Sequence, residues 1–127
     1  MERLEYQERD DTPLVILDAE KNEFLIAGKS LPEDTGAFFK PILNWLNQYA
    51  TNPGEKTVFN FKLIYFNTAT SKSIVDLLLV LENIHKNGNE VLVKWHYPDD
   101  DEDIQDSGEE FASIIEIPFE QVPYEYE

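Results

Sequence analysis

Four hydroxyl side chains lie near the centre of the chain, where the pattern predicts that a strand turns directly into a helix. They are Thr68, Thr70, Ser71 and Ser73, and the apolar run from Leu77 to Leu81 follows them. The first turn of a helix has backbone N–H groups without intrahelical partners and the positive end of the macrodipole, so it favours negative charge. A phosphate on one of these hydroxyls would be stabilised where it forms. We interpret this junction as a candidate phosphorylation switch.

Helix capping accounts for part of this hydroxyl cluster. One of Asn67, Thr68 or Thr70 is expected to be the N-cap, because such side chains accept a hydrogen bond from a backbone N–H of the first turn. A cap needs only one residue, so hydroxyls are left over. Spacing alone does not choose among them. Lys72 lies one helical turn after Thr68 and could act as a counter-charge to a phosphate on that residue.

The two histidines offer another kind of chemistry. A catalytic arrangement would need His85 or His96 beside a serine or threonine nucleophile in a cleft. No serine is flanked by the glycines of a nucleophile elbow, and no glycine-rich phosphate loop is present. We therefore interpret both histidines as structural.

The acidic segment 98–110 resembles part of a calcium loop. With Asp99 as position 1, Asp101, Asp103 and Glu110 stand where an EF-hand places ligands, but Ile104 occupies the position at which the sharp turn requires glycine. We predict no metal site and no cofactor. A small metal-dependent enzyme that uses this acidic loop and His96 is kept as an alternative hypothesis.

Charge excludes several classes of partner. Residues 98–127 contain twelve acidic side chains and no Lys or Arg, giving −12, and the first 97 residues carry fourteen acids against ten bases, giving −4. Binding to nucleic acid or to an anionic membrane depends on Lys and Arg, so neither is expected. The acidic segment is interpreted as solubilising, or alternatively as the docking surface of a constitutive module for a basic protein.

Size and composition predict one soluble, cytoplasmic domain over residues 1–127. The chain is 42% hydrophobic and has no cysteine, which fits a reducing compartment. The charged N-terminus lacks the apolar core of a signal peptide, and the longest apolar run is too short to span a bilayer. Residues 1–12 and 121–127 are predicted to be flexible ends.

Hydrophobic periodicity predicts an α/β fold with a mixed sheet of four to five strands, packed against two main helices and a short C-terminal helix. Pro41 is expected to disturb the first helix or to delay its start. The predicted strands are 14–17, 23–27, 57–66, 90–97 and 114–117, and the predicted helices are one that Thr35 caps and that reaches Tyr49, one over 68–87 and one over 102–113.

The second helix has an apolar stripe that predicts its buried side. Leu79 falls outside this stripe, among polar residues, and Val75 lies at its border. Either a neighbouring element covers these two side chains, or they form an apolar contact surface on the same helix as the hydroxyl cluster. The residues of the stripe are Ile74, Leu77, Leu78, Leu81, Ile84 and His85.

The segment LIYFNTATSKSIVDLLLVLENIHKNGNEVLVKWHY, from Leu63 to Tyr97, resembles the signature of the SiaC-type regulatory phosphoproteins of bacteria. The upstream SLPEDTGAFFKPILNWLNQY and the acidic segment that ends in IIEIPFE are also similar to that family. The resemblance extends from about Thr12 to Glu120. It implies a fold like the STAS domain of anti-anti-sigma factors and a non-enzymatic, partner-switching role.

The resemblance also implies how the switch works. A Ser/Thr kinase phosphorylates the threonine of the strand–helix junction, a PP2C-type phosphatase removes the phosphate, and the unphosphorylated form binds and activates an effector such as a diguanylate cyclase. By position, the resemblance assigns the phosphoacceptor to Thr68. The predicted partner-binding residues around it are Asn67, Thr70, Ser71, Lys72, Val75 and Leu79.

Overall fold

A computed structural model describes residues 1–126, which form a six-stranded sheet and three helices. The α/β fold class predicted from the sequence is confirmed, and the sheet has six strands rather than four to five. Among the described residues, no helix has the length and apolar character needed to cross a membrane. The strands are β1 (Leu4–Tyr6), β2 (Leu14–Asp18), β3 (Glu23–Ser30), β4 (Lys56–Phe66), β5 (Glu90–Pro98) and β6 (Phe119–Tyr124), and the helices are α1 (Thr35–Ala50), α2 (Thr68–Lys86) and α3 (Glu102–Ile114).

The strands lie side by side in chain order. The pairs β1–β2 and β2–β3 are antiparallel, and the three pairs from β3 to β6 are parallel. Each of these three parallel pairs is connected by a crossover that contains one helix. Because such crossovers are right-handed and all proceed in the same direction, α1, α2 and α3 lie on the same face of the sheet.

Alternate residues of the strands build the core beneath these helices. Phe61 stands opposite Ile26 on one side and Trp95 on the other, and all three side chains are almost completely buried. Trp45 of α1 packs edge-on against Phe24, and Phe111 of α3 packs against Trp95 with ring centroids 5.3 Å apart.

The outer strands differ most from the prediction. The predicted flexible end 1–12 contains β1, in which Leu4 pairs with Leu17 and Tyr6 packs against Phe38. The predicted last strand, 114–117, is instead the end of α3 and a connecting segment, in which Ile115 and Ile117 are buried. The last strand is β6, which extends into the predicted flexible end 121–127; Glu127 lies outside the described residues. These strands are short and lie at the two edges of the sheet, so pairing with a neighbour stabilises them more than their own pattern does.

The first helix also differs in its details from the prediction. Asp34, not Thr35, caps α1, because its carboxylate accepts the Ala37 N–H at 3.1 Å. Pro41 lies inside α1 without ending it. The carbonyl of Ala37, which loses its usual intrahelical donor at Pro41, belongs to an exposed residue where water can replace it.

The acidic segment 98–110 is helical from Glu102 onward rather than a loop. Asp101 caps α3 by accepting the Ile104 N–H at 3.0 Å, and Glu102 and Asp103 lie in its first turn. Negative side chains there interact favourably with the helix dipole. The predicted helix over 102–113 is thus confirmed as α3.

No helix covers the opposite face of the sheet within residues 1–126. His96 lies on this open face, where its Nε2 is 2.9 Å from Asn60 Oδ1. Partial burial, followed by the positive charges of Lys62 and Lys94, lowers the pKa of His96 below its ordinary value.

We predict that Gly108→Ala destabilises the protein, although alanine is the better helix former. A Cβ at position 108 would collide with the indole of Trp95, which is buried and donates from Nε1 to the Ile104 carbonyl at 2.8 Å. Overpacking costs about 1–3 kcal/mol and the helix preference of alanine offsets about 1 kcal/mol of this, so we expect a net loss of up to about 2 kcal/mol in chemical denaturation. Gly36→Ala in α1 is the matched control, because only Asp34 lies near its added Cβ, at 3.8 Å. Equal behaviour of the two variants would contradict the packing argument.

We predict that His96 titrates below the ordinary histidine value of about 6.5 in an NMR titration. The folded state then holds fewer protons than the unfolded state just below pH 6.5. The free energy of unfolding should therefore decrease as the pH falls from about 6.5 through the folded-state pKa, and His96→Gln should remove this slope. Lys62→Gln should raise the His96 midpoint. A midpoint at or above the ordinary value would contradict this account.

Candidate functional site

The junction between β4 and α2 is capped by Asn67. Its side-chain Oδ1 accepts the Thr70 N–H at 2.8 Å, and its carbonyl accepts the Ser71 N–H at 3.1 Å. Of the three residues that the sequence allowed as the cap, Asn67 is therefore the one used. The first two N–H groups of the helix, those of Thr68 and Ala69, precede these bonds and have no acceptor within the helix.

Thr68 is the first residue of α2 and its side chain is exposed. Because Asn67 provides the cap, the Thr68 hydroxyl is not needed to hold the start of the helix. Lys72, one turn further on, is also exposed. A modifying enzyme can thus reach the Thr68 hydroxyl without opening the fold.

Thr70 is one of the predicted partner-binding residues, but it does not lie at the surface. It is completely buried, so a partner cannot contact it in this structure. Its Oγ1 lies 2.9 Å from the Ser30 Oγ and donates to the Ser30 carbonyl at 3.2 Å. Sequence reasoning missed Ser30, because nothing local connects it with a residue forty positions later; only the pairing of β3 with β4 brings the two together.

A groove of about 300 Å³ separates the start of α2 from the start of α3. Ser71 is half-buried in this groove, where it lies among hydroxyl, aromatic and acidic side chains. The sequence did not predict that the acidic segment would border Thr68. The residues that line the groove are Ile64, Tyr65, Phe66, Asn67, Thr68, Ser71, Asp101, Asp103, Ile104 and Ser107.

One side of α2 carries several of the predicted partner-binding residues. Thr68, Lys72, Val75 and Leu79 follow one another at the i, i+4, i+7 and i+11 spacing that places residues in a single stripe. Leu79 is 45% exposed, so no neighbouring element covers it, whereas Val75 is half-buried against the core. We call these four residues the α2 stripe.

The residues of the alternative metal hypothesis are not assembled into a site. His96 lies on the open face of the sheet, whereas Asp101 and Asp103 belong to the start of α3. Within residues 1–126, no three His, Cys, Asp or Glu side chains are grouped to hold one metal ion. His85 is half-buried near the end of α2, and its Nδ1 is buried without a hydrogen-bond partner.

Comparison with known proteins connects this fold and junction to one family. The model of the SiaC family of regulatory phosphoproteins matches residues 6–124. An uncharacterised protein of Pseudomonas aeruginosa strain UCBPP-PA14 is 28% identical over 108 residues, which cover 85% of this chain and 86% of that protein.

Solved structures agree with the family match. The crystal structure of apo-SiaC from Pseudomonas aeruginosa has a TM-score of 0.87 at 27% identity, with 96% of this chain and 99% of that chain covered. A chain in the crystal structure of the diguanylate cyclase SiaD in complex with its activator SiaC, from the same organism, has a TM-score of 0.89 at 26% identity and coverages of 95% and 99%. The chain belongs to the SiaC family of regulatory phosphoproteins.

Proposed function

We propose that this protein is a non-enzymatic, phosphorylation-controlled adaptor of the cytoplasm. A Ser/Thr kinase transfers the γ-phosphoryl group of ATP to the Thr68 Oγ1, with release of ADP and a proton, and a PP2C-type phosphatase hydrolyses the phosphate. The unphosphorylated form binds an effector protein such as a diguanylate cyclase. The observation that carries the proposal is the exposed Thr68 hydroxyl at the first position of a helix that another residue caps.

The charges around Thr68 support the proposal that the folded protein can carry a phosphate at this position. Phosphorylation adds a charge of about −1.5 to −2 and three acceptor oxygens. The N–H groups of Thr68 and Ala69 and the α2 dipole stabilise that charge, and the Asn67 cap does not have to move. Asp101 and Asp103 line the same groove and repel it. The modification therefore changes the charge of the surface without requiring the core to rearrange.

The α2 stripe supports the step from phosphorylation to release of a partner. Leu79 lies eleven residues after Thr68, which is about 16 Å along a helix. A standard interface spans more than this distance, so an effector that covers Leu79 would also meet Thr68. A phosphate buried in such an interface would weaken binding, because desolvating its charge is unfavourable and the single positive charge of Lys72 does not balance about −1.5 to −2.

The relatives support the class of effector. SiaC of Pseudomonas aeruginosa is an activator of the diguanylate cyclase SiaD and forms a complex with it. A second candidate function is a constitutive module whose acidic α3 binds a basic protein, which the absence of Lys and Arg from residues 98–127 favours. Binding by such a module would depend strongly on salt and would not respond to Thr68.

We predict that incubation with the cognate kinase and ATP modifies Thr68, as mapped by mass spectrometry. Thr68→Asp should weaken effector binding by at least about tenfold in calorimetry, because it places a further negative charge in the interface, beside Asp101 and Asp103. Ala69→Asp is the matched control: it adds the same charge to the same helix turn, but about 100° away from the α2 stripe. Phosphorylation confined to the acidic segment, or equal loss of binding in both variants, would overturn the assignment of Thr68.

We predict that Leu79→Ala weakens effector binding by about tenfold or more, because a buried leucine side chain contributes about 1.5–3 kcal/mol. Its free energy of unfolding should change far less than for a buried leucine, by about 1 kcal/mol at most, since Leu79 is 45% exposed. Gln48→Ala, at an exposed position of α1, should bind as the wild type does. If Leu79→Ala binds the effector normally, the partner surface lies elsewhere.

A further inference from the structure

The end of β3 is bonded to the first turn of α2. The Ser30 carbonyl accepts the Asn67 N–H at 3.2 Å and the Thr70 hydroxyl at 3.2 Å, and the Ser30 Oγ lies 2.9 Å from the Thr70 Oγ1. The Thr70 hydroxyl has one proton, which it donates to the carbonyl. The Ser30 hydroxyl must then donate to the Thr70 Oγ1, so each buried hydroxyl has a partner.

These bonds lie in the interior of the protein. Ser30 and Thr70 are both 0% exposed, so no solvent can replace a bond that is lost. Thr70 is held twice, by its backbone N–H to Asn67 and by its side chain to Ser30. We call the bonded set of Ser30, Asn67 and Thr70 the latch.

The sheet register places Ser30 for this contact. Gly28 pairs with Leu63, but the next residue, Lys29, pairs with Tyr65, so β4 has one extra residue at this point. Gly28 has a φ of +106°, a backbone conformation that residues other than glycine rarely adopt. The shift sets Ser30 opposite Phe66, immediately before the Asn67 cap.

We propose that Ser30 and Thr70 are positioning residues for the phosphorylation of Thr68. Through the latch they hold the first turn of α2 against β3, so that the Thr68 hydroxyl is presented to the kinase in one geometry on the folded protein. Both residues are completely buried, so they act through the first turn of α2 rather than through contact with the kinase. The inference rests on the proposed function and adds to it a determinant of the phosphorylation rate that lies in another element of the fold.

Variants of buried hydroxyls test this role. Thr70→Val should slow the kinase-catalysed phosphorylation of Thr68 by about three- to tenfold, the range expected for the loss of a buried hydrogen bond. Ser30→Ala should have a smaller effect, because the Thr70 hydroxyl keeps its bond to the carbonyl. Thr70→Ser retains the hydroxyl and should restore the wild-type rate.

Thr57→Val is the matched control for a merely structural effect. Thr57 is also 0% exposed, and its hydroxyl bonds to the Tyr49 hydroxyl at 2.7 Å. It lies nine residues before the end of β4, about 30 Å from the junction. Thr57→Val should lose stability but be phosphorylated at the wild-type rate. A wild-type rate for Thr70→Val, or an equal slowing in Thr57→Val, would overturn the proposal.

Amide hydrogen exchange provides a readout that needs no kinase. In NMR, Thr70→Val should increase the exchange rates of the backbone amides at positions 70 and 71 about tenfold relative to Thr57→Val. The exchange rates of amides in the second half of α2 should not change. Unchanged exchange at the first turn would overturn the latch itself. If the wild type is not phosphorylated at Thr68 although this exchange responds, the proposed function fails and the latch stands as a structural feature only.

Discussion

The start of α2 is held by hydrogen bonds from residues that are not part of that helix. Asn67 caps it through the Thr70 N–H, and Ser30, at the end of β3, accepts from both Asn67 and Thr70. Because Asn67 provides the cap and Ser30 holds the Thr70 side chain, the Thr68 hydroxyl is not needed for the start of the helix and can remain exposed. A side chain that is free of the fold can gain and lose a phosphate without unfolding the helix that carries it.

Packing on the helical face of the sheet then determines what surrounds Thr68. Gly108 lets α3 approach Trp95 closely, and Phe111 packs against the same indole. This anchoring brings the acidic start of α3 to the groove beside Thr68. The N–H groups of α2 would attract a phosphate on Thr68 while the carboxylates of α3 would repel it, so such a phosphate would change the surface charge strongly without requiring the fold to rearrange.

Local patterns predicted much of this fold. The buried side of α2 was predicted correctly at its five aliphatic positions, because a helix repeats every 3.6 residues whatever surrounds it. These positions are Ile74, Leu77, Leu78, Leu81 and Ile84. β1 and β6 were not predicted, since a short edge strand is stabilised by its neighbour and leaves little pattern of its own. The proximity of Asp101 and Asp103 to Thr68 was also missed, because it depends on how α3 packs rather than on the spacing of these residues along the chain.

The sequence by itself determined that a hydroxyl cluster opens an apolar helix and that Leu79 lies among the polar residues of that helix, since both follow from helical geometry. It also determined where the negative charge is concentrated along the chain. Only the tertiary structure decided which hydroxyl is exposed and which is buried. Thr68 and Thr70 are two residues apart and chemically alike, but Ser30 makes Thr70 part of the interior, and that contact exists only after β3 and β4 have paired.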